Sequence, residues 1–174
     1  MRTFTDEELA ELMNCPKQVD DPPKREMRLD GKSKRNDMTL KSTDAKHNFR
    51  VFIRQSDEFP ENFSIGLMYV PNEEPGSFQI VRCNGQHGGE RAHPHHAVYH
   101  IHLSKADDIN AGILEPRHIE QSPAYASFQE ALAHFCRLTN VQNPDQYFPG
   151  IAQQLLNFKR PDTEGERNLI PGEL

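Results

Sequence analysis

From residue 38 onward, apolar side chains recur at every second position in short runs separated by turn residues, the period of half-buried strands. Residues 38–42 and 48–54 form two such runs around the hairpin loop 43–47. Residues 63–70 alternate with Phe63, Ile65, Leu67 and Tyr69 on one face, and residues 77–83 follow after the turn 71–76. Residues 98–103 place Tyr99, Ile101 and Leu103 on one face and His100 and His102 on the other. Short connections predict an antiparallel meander of four or five strands, whose apolar face needs a helical cover. The cover is predicted at residues 122–138, where Phe128, Ala131, Leu132, Phe135 and Leu138 repeat at helical spacing behind a serine and a proline.

The ends differ. Thr5 and three carboxylates open a short helix with Leu9, Leu12 and Met13 as its apolar positions, stopping before Pro16. Residues 16–37 lack periodicity and predict a charged linker or extended arm, so that residues 1–37 form an N-terminal helix and arm. A shorter helix is predicted over 145–157, with Ile151, Leu155 and Phe158 apolar, inside a C-terminal segment 143–158. Residues 159–174, rich in glycine, proline and charge, predict a disordered tail. The expected fold is α+β: one core domain over residues 38–142, its sheet covered on one face by helices.

Composition changes this picture in two ways. Hydrophobic residues are only 35% of the 174, which fits unpacked ends around a smaller core. Cys15, Cys83 and Cys136 are odd in number and widely spaced, pointing to a reducing compartment, and Cys83 reads as a buried small apolar side chain rather than a nucleophile. Neither a leader nor a membrane span is visible, so a cytoplasmic protein without membrane contact is expected. The net charge of −6 is uneven: residues 24–54 hold ten basic and four acidic side chains, a local +6. Such a segment either steers a phosphate ligand to one face or is a solvated charged loop.

Chemistry concentrates further on. Six of nine histidines fall between positions 87 and 102. His100 and His102, two apart on a strand, share a face at a backbone separation of about 6.6 Å, so their imidazoles can converge on one ion or phosphate. His93, His95 and His96 lie in a loop broken by Pro94. With His95 as third ligand, His100 and His102 would form a three-histidine zinc site with an open position; an iron site would need Glu90, Asp107 or Asp108. A metal-free reading uses the same imidazoles to move protons in RNA cleavage, with Arg50, Arg54, Arg82 or Arg91 holding the phosphate. The Asn84-Gly85 turn and the Gly88-Gly89 pair predict a loop able to approach a ligand, with His87 within it.

The stretch His100-Ile-His-Leu-Ser104 looks like the start of the motif of histidine-triad nucleotide hydrolases, but Ser104 stands where the third histidine belongs. Gly88 with His93-Pro-His95 is similar to the first cupin motif, without its glutamate. Neither family is adopted. Phe49-Arg-Val-Phe-Ile-Arg54, Arg82-Cys-Asn-Gly85 with His87 after it, His100-Ile-His102 and Ala131-Leu-Ala-His-Phe135 together resemble a family of small uncharacterised bacterial proteins over roughly residues 38–142. The resemblance implies a compact α+β domain and a bacterial, cytosolic origin, and carries no activity. The leading expectation is an RNA- or nucleotide-directed phosphodiester hydrolase, of the kind found among small bacterial toxins and needing no cofactor. In it His100 and His102 handle protons, His87 or His95 assists, and Arg82 or Arg50 binds phosphate. A metal-dependent hydrolase or oxygenase with zinc or iron, and a noncatalytic module whose acidic surface binds a protein partner, are the other two classes.

Overall fold

The computed structural model describes residues 2–72, 76–88, 94–121 and 124–157. The tail predicted at 159–174, Phe158, and the candidates Arg91 and His93 lie outside them. In chain order the elements are α1 (Asp6–Asn14), β1 (Lys17–Asp21), β2 (Arg28–Asp30), β3 (Ser33–Ser42), β4 (Asn48–Ser56), β5 (Phe63–Val70), β6 (Phe78–Asn84), β7 (His100–Leu103), α2 (Ala106–Asn110), β8 (His118–Gln121), α3 (Phe128–Leu138) and α4 (Ala152–Asn157).

The strands make one antiparallel sheet in the order β1-β3-β4-β5-β6-β7-β8, with β2 also pairing to β3. The α+β meander is therefore larger than the four or five strands expected: among the described residues eight take part. The additional strands are polar edges. In β1 only Lys17 is fully buried, and β2 is exposed throughout, so neither has an apolar face of its own. They are strands because β3 is ten residues long and offers its outer backbone groups to both. The residues 16–37 expected as an arm thus belong largely to the sheet.

One face is the core. Phe49, Val51 and Ile53 of β4 and Phe63, Ile65 and Leu67 of β5 are at most 1% exposed. Each such side chain withdrawn from water contributes about 1.5–3 kcal/mol, which is what fixes this face inward. Against it lie α1, through Leu9 and Leu12, and α3, through Ala131, Leu132, Phe135 and Cys136. Helix α1 starts on a reciprocal cap: Glu8 N–H donates to Thr5 Oγ1 at 3.2 Å and Thr5 N–H to Glu8 Oε2 at 2.9 Å. Helix α3 begins at Phe128, capped by Ser127, rather than at residue 122. The helix expected over 145–157 is broken into 3-10 turns at Pro144–Gln146 and Pro149–Ile151 before α4, because Pro149 removes a backbone donor. No helix among the described residues is long and apolar enough to cross a membrane.

Lys17 is buried where α1 and α3 end. Its ammonium donates to Met13 O at 2.8 Å, Cys15 O at 2.8 Å and Thr139 O at 3.0 Å, and lies 4.7 Å from the centre of the Phe49 ring. One cation thereby satisfies terminal carbonyls of two helices.

The basic segment is largely neutralised within the sheet. Lys32 pairs with Glu58, Lys34 with Asp57, Arg35 with Asp30, Lys41 with Asp20 and Lys46 with Asp44. Neither a plain solvated loop nor an uncompensated basic patch describes it.

Candidate functional site

The strand period sends alternate residues to the face opposite the core, and the register decides who stands beside whom there. One cross-strand row runs Arg54, Ser64, Asn84, His100; the next runs Asp37, Phe52, Gly66, Arg82, His102. Arg50, Arg54, His100 and His102 share a face, a point the sequence leaves open. They are not one cluster, because β5 and β6 stand between β4 and β7, a separation of three strand spacings or about 14 Å.

Arg50 and Arg54 both reach Asp37 Oδ1, at 3.3 and 3.0 Å, and Arg54 also donates to Asn36 O and Ile53 O. Among the described arginines, Arg82 stands in register with His102 on the neighbouring strand. It is half-buried, and its Nε is buried without a hydrogen-bond partner among the described residues. Burial lowers its pKa, with the Glu115 carboxylate acting in the other direction.

The sequence puts His100 and His102 on the strand face opposite Tyr99, Ile101 and Leu103, and there they are covered. They are 0% and 7% exposed. The chain after β6 folds back over them: His87 N–H donates to His96 O at 2.7 Å, and His96 belongs to a 3-10 turn, Pro94–Ala97. Ring centroids of His87 and His96 are 4.4 Å apart, those of His87 and His100 5.2 Å, His96 and His100 6.1 Å, and His100 and His102 4.9 Å. Four imidazoles therefore form one layer beside Arg82. Of His95 only the backbone, within that turn, is described. Gly88 has φ +78°, a left-handed conformation that a side chain would strain. Gly85 is needed for a different reason: a Cβ there would stand 1.9 Å from Glu61 O, so only glycine lets the chain leave β6 along this path.

Hydrogen bonds separate the roles of these rings. His100 Nδ1 lies 2.8 Å from Val98 O, an atom that only accepts, so Nδ1 carries a proton. Its Nε2 lies 3.1 Å from Asn84 Nδ2, which donates because Asn84 Oδ1 accepts from Ser64 Oγ at 2.8 Å. This network leaves His100 with Nδ1 protonated and both ring nitrogens engaged. His87 Nδ1 lies 3.0 Å from Gly85 O, which only accepts, so Nδ1 carries a proton and in the neutral ring the lone pair is on Nε2. His87 and His96 are partly exposed at the edge of the layer, and His102 is its inner end.

From the core side, Tyr125 Oη shares its one proton between Asn84 O at 3.1 Å and His100 O at 2.8 Å, clamping β6 to β7 behind the imidazoles. Neither Ser64, Asn84 nor Tyr125 stands out in the sequence; Asn84 signals only a turn there, and its side-chain role depends on register. Cys83 faces the core, 0% exposed, its thiol pushed up to about 12 by burial, which removes it as a nucleophile.

Among the described residues no group of three or more histidine, cysteine or carboxylate side chains is placed to hold a metal ion. No protein-family model, curated protein or solved structure matches the chain.

Proposed function

We propose that the histidine layer is the centre of an RNA-directed phosphodiester hydrolase using imidazole acid–base chemistry. The observation that carries this reading is the packing of His87, His96, His100 and His102 into one layer with a half-buried, partly desolvated arginine beside its inner end. RNA supplies its own nucleophile, so the protein needs only a base, an acid and a cation for the phosphate charge.

His87 is the base. Its Nε2 lone pair removes the proton of a 2′-hydroxyl, the 2′-oxygen forms a bond to phosphorus, and the bond from phosphorus to the 5′-oxygen breaks. The departing oxygen takes a proton from His102, leaving a 2′,3′-cyclic phosphate and a 5′-hydroxyl end. Arg82 holds the non-bridging oxygens, whose charge rises in the transition state; its low-water surroundings strengthen that interaction. His100 orients the layer through Asn84 and Val98 and moves no proton.

The test is incubation of the purified chain with mixed RNA in EDTA. Cleavage giving cyclic phosphate ends is expected, with a loss of about 10²–10⁴-fold in His102→Gln and in His87→Gln. An intact RNA pool, or cleavage undiminished in both variants, would overturn the assignment.

A further inference from the structure

Beyond the histidine layer, the same sheet face continues across β6, β5 and β4, and its chemistry differs from that of the whole chain. The outward-facing charged residues of these three strands are Arg50, Arg54 and Arg82, with no acid among them; Asp37 on adjoining β3 is shared between Arg50 and Arg54, so one carboxylate offsets two guanidiniums and the face stays positive. The chain as a whole carries −6.

Among these arginines lies an aromatic ring. Phe52 projects to this face, half-buried, with the Arg54 guanidinium 5.6 Å from its centroid. The ring lies across Gly66: a Cβ at 66 would be 2.3 Å from Phe52 Cζ. Glycine at that place, in a strand interior where it is otherwise costly, gives Phe52 room to lie down against the sheet. It lies along the cross-strand row that ends in Arg82 and His102. A flat aromatic with flanking cations on an exposed sheet face suits an unpaired base and the phosphates on either side of it, whereas a duplex hides its base faces.

We propose that the outer face of β4–β6 is a binding platform for single-stranded RNA, with a base stacked on Phe52 and backbone phosphates on Arg50, Arg54 and Arg82. The strand is thereby led along one row toward His102. This deepens the hydrolase reading and rests on it for the choice of RNA as the occupant.

The experiment measures binding apart from cleavage. A fluorescein-labelled single-stranded RNA with 2′-O-methyl sugars, lacking the hydroxyl nucleophile, is titrated with the full chain and followed by anisotropy. Phe52→Ala should weaken binding about tenfold, the equivalent of about 1.4 kcal/mol, while Phe52→Tyr should retain it. Arg50→Gln should reduce the slope of log affinity against log salt by about 0.7, the loss of one phosphate contact on a single strand. Circular dichroism and melting of each variant show that it is folded. Equal affinity of Phe52→Ala and the parent, equal binding of the corresponding duplex, or no binding overturns the platform. Cleavage in EDTA without any effect of Phe52→Ala removes the platform and leaves the hydrolase. Phe52-dependent binding without cleavage removes the hydrolase and supports the platform.

Discussion

Replacing Lys17 by methionine removes a buried cation while keeping the volume of its side chain. In the parent chain the ammonium is 0% exposed, and burial lowers its pKa from 10.5 to about 8. A lysine depressed by about 2.5 units costs the folded state about 3 kcal/mol at neutral pH relative to one that keeps its ordinary value. It is retained because Met13 O, Cys15 O and Thr139 O all accept from it, and leaving a buried acceptor unsatisfied costs about 1–3 kcal/mol each. Lys17→Met is expected to be less stable at about pH 7 by about 2 kcal/mol, since relief of the buried charge offsets part of the three lost bonds. The pH dependence is the sharper test. Between the folded value near 8 and the unfolded value near 10.5 the unfolded chain binds more protons, so the parent gains stability as pH rises. The gap between parent and variant should widen by about 2 kcal/mol from about pH 7 to about pH 9.5, all other titrating groups being common to both. Urea unfolding at several pH values, followed by circular dichroism, measures the gap. A gap that stays constant or narrows over that range would refute the claim that this ammonium is desolvated.

Gly66→Ala should displace the Phe52 ring and destabilise the fold by about 1 kcal/mol, read as a lowered melting temperature. The cost should vanish in a Phe52→Ala background; persistence there would mean that the backbone, not the ring, is obstructed. Nitrogen-15 spectra of the imidazoles should show His100 and His87 with protonated Nδ1 and lone-pair-bearing Nε2. The opposite tautomer at His87 would remove it as the base. His134 is held below the ordinary histidine range by burial and then by Arg137, so the unfolded chain gains its proton first as pH falls. Stability should therefore drop below about pH 6.5 more steeply in the parent than in His134→Gln, as urea midpoints would show.

The alternation of Phe63, Ile65, Leu67 and Tyr69 is enough by itself to put one face of β5 inward. A strand has period two, so the same reasoning turns His100 and His102 away from Ile101 and the core. Local pattern also marks α1, through its cap, and the apolar stripe of α3. Strands β1, β2 and β8 carry no comparable signal, because their pairing comes from neighbours with free backbone groups rather than from an apolar face of their own. What only the tertiary structure decides is which residues meet. Register sets Arg82 opposite His102 and leaves Arg50 and Arg54 on Asp37, several strands away. The fold-back after Asn84 covers two histidines of a sheet face and sets them in one layer with the partly exposed His87 and His96. Side-chain direction is a local property of the chain, whereas burial, tautomer and charge compensation depend on partners distant in sequence.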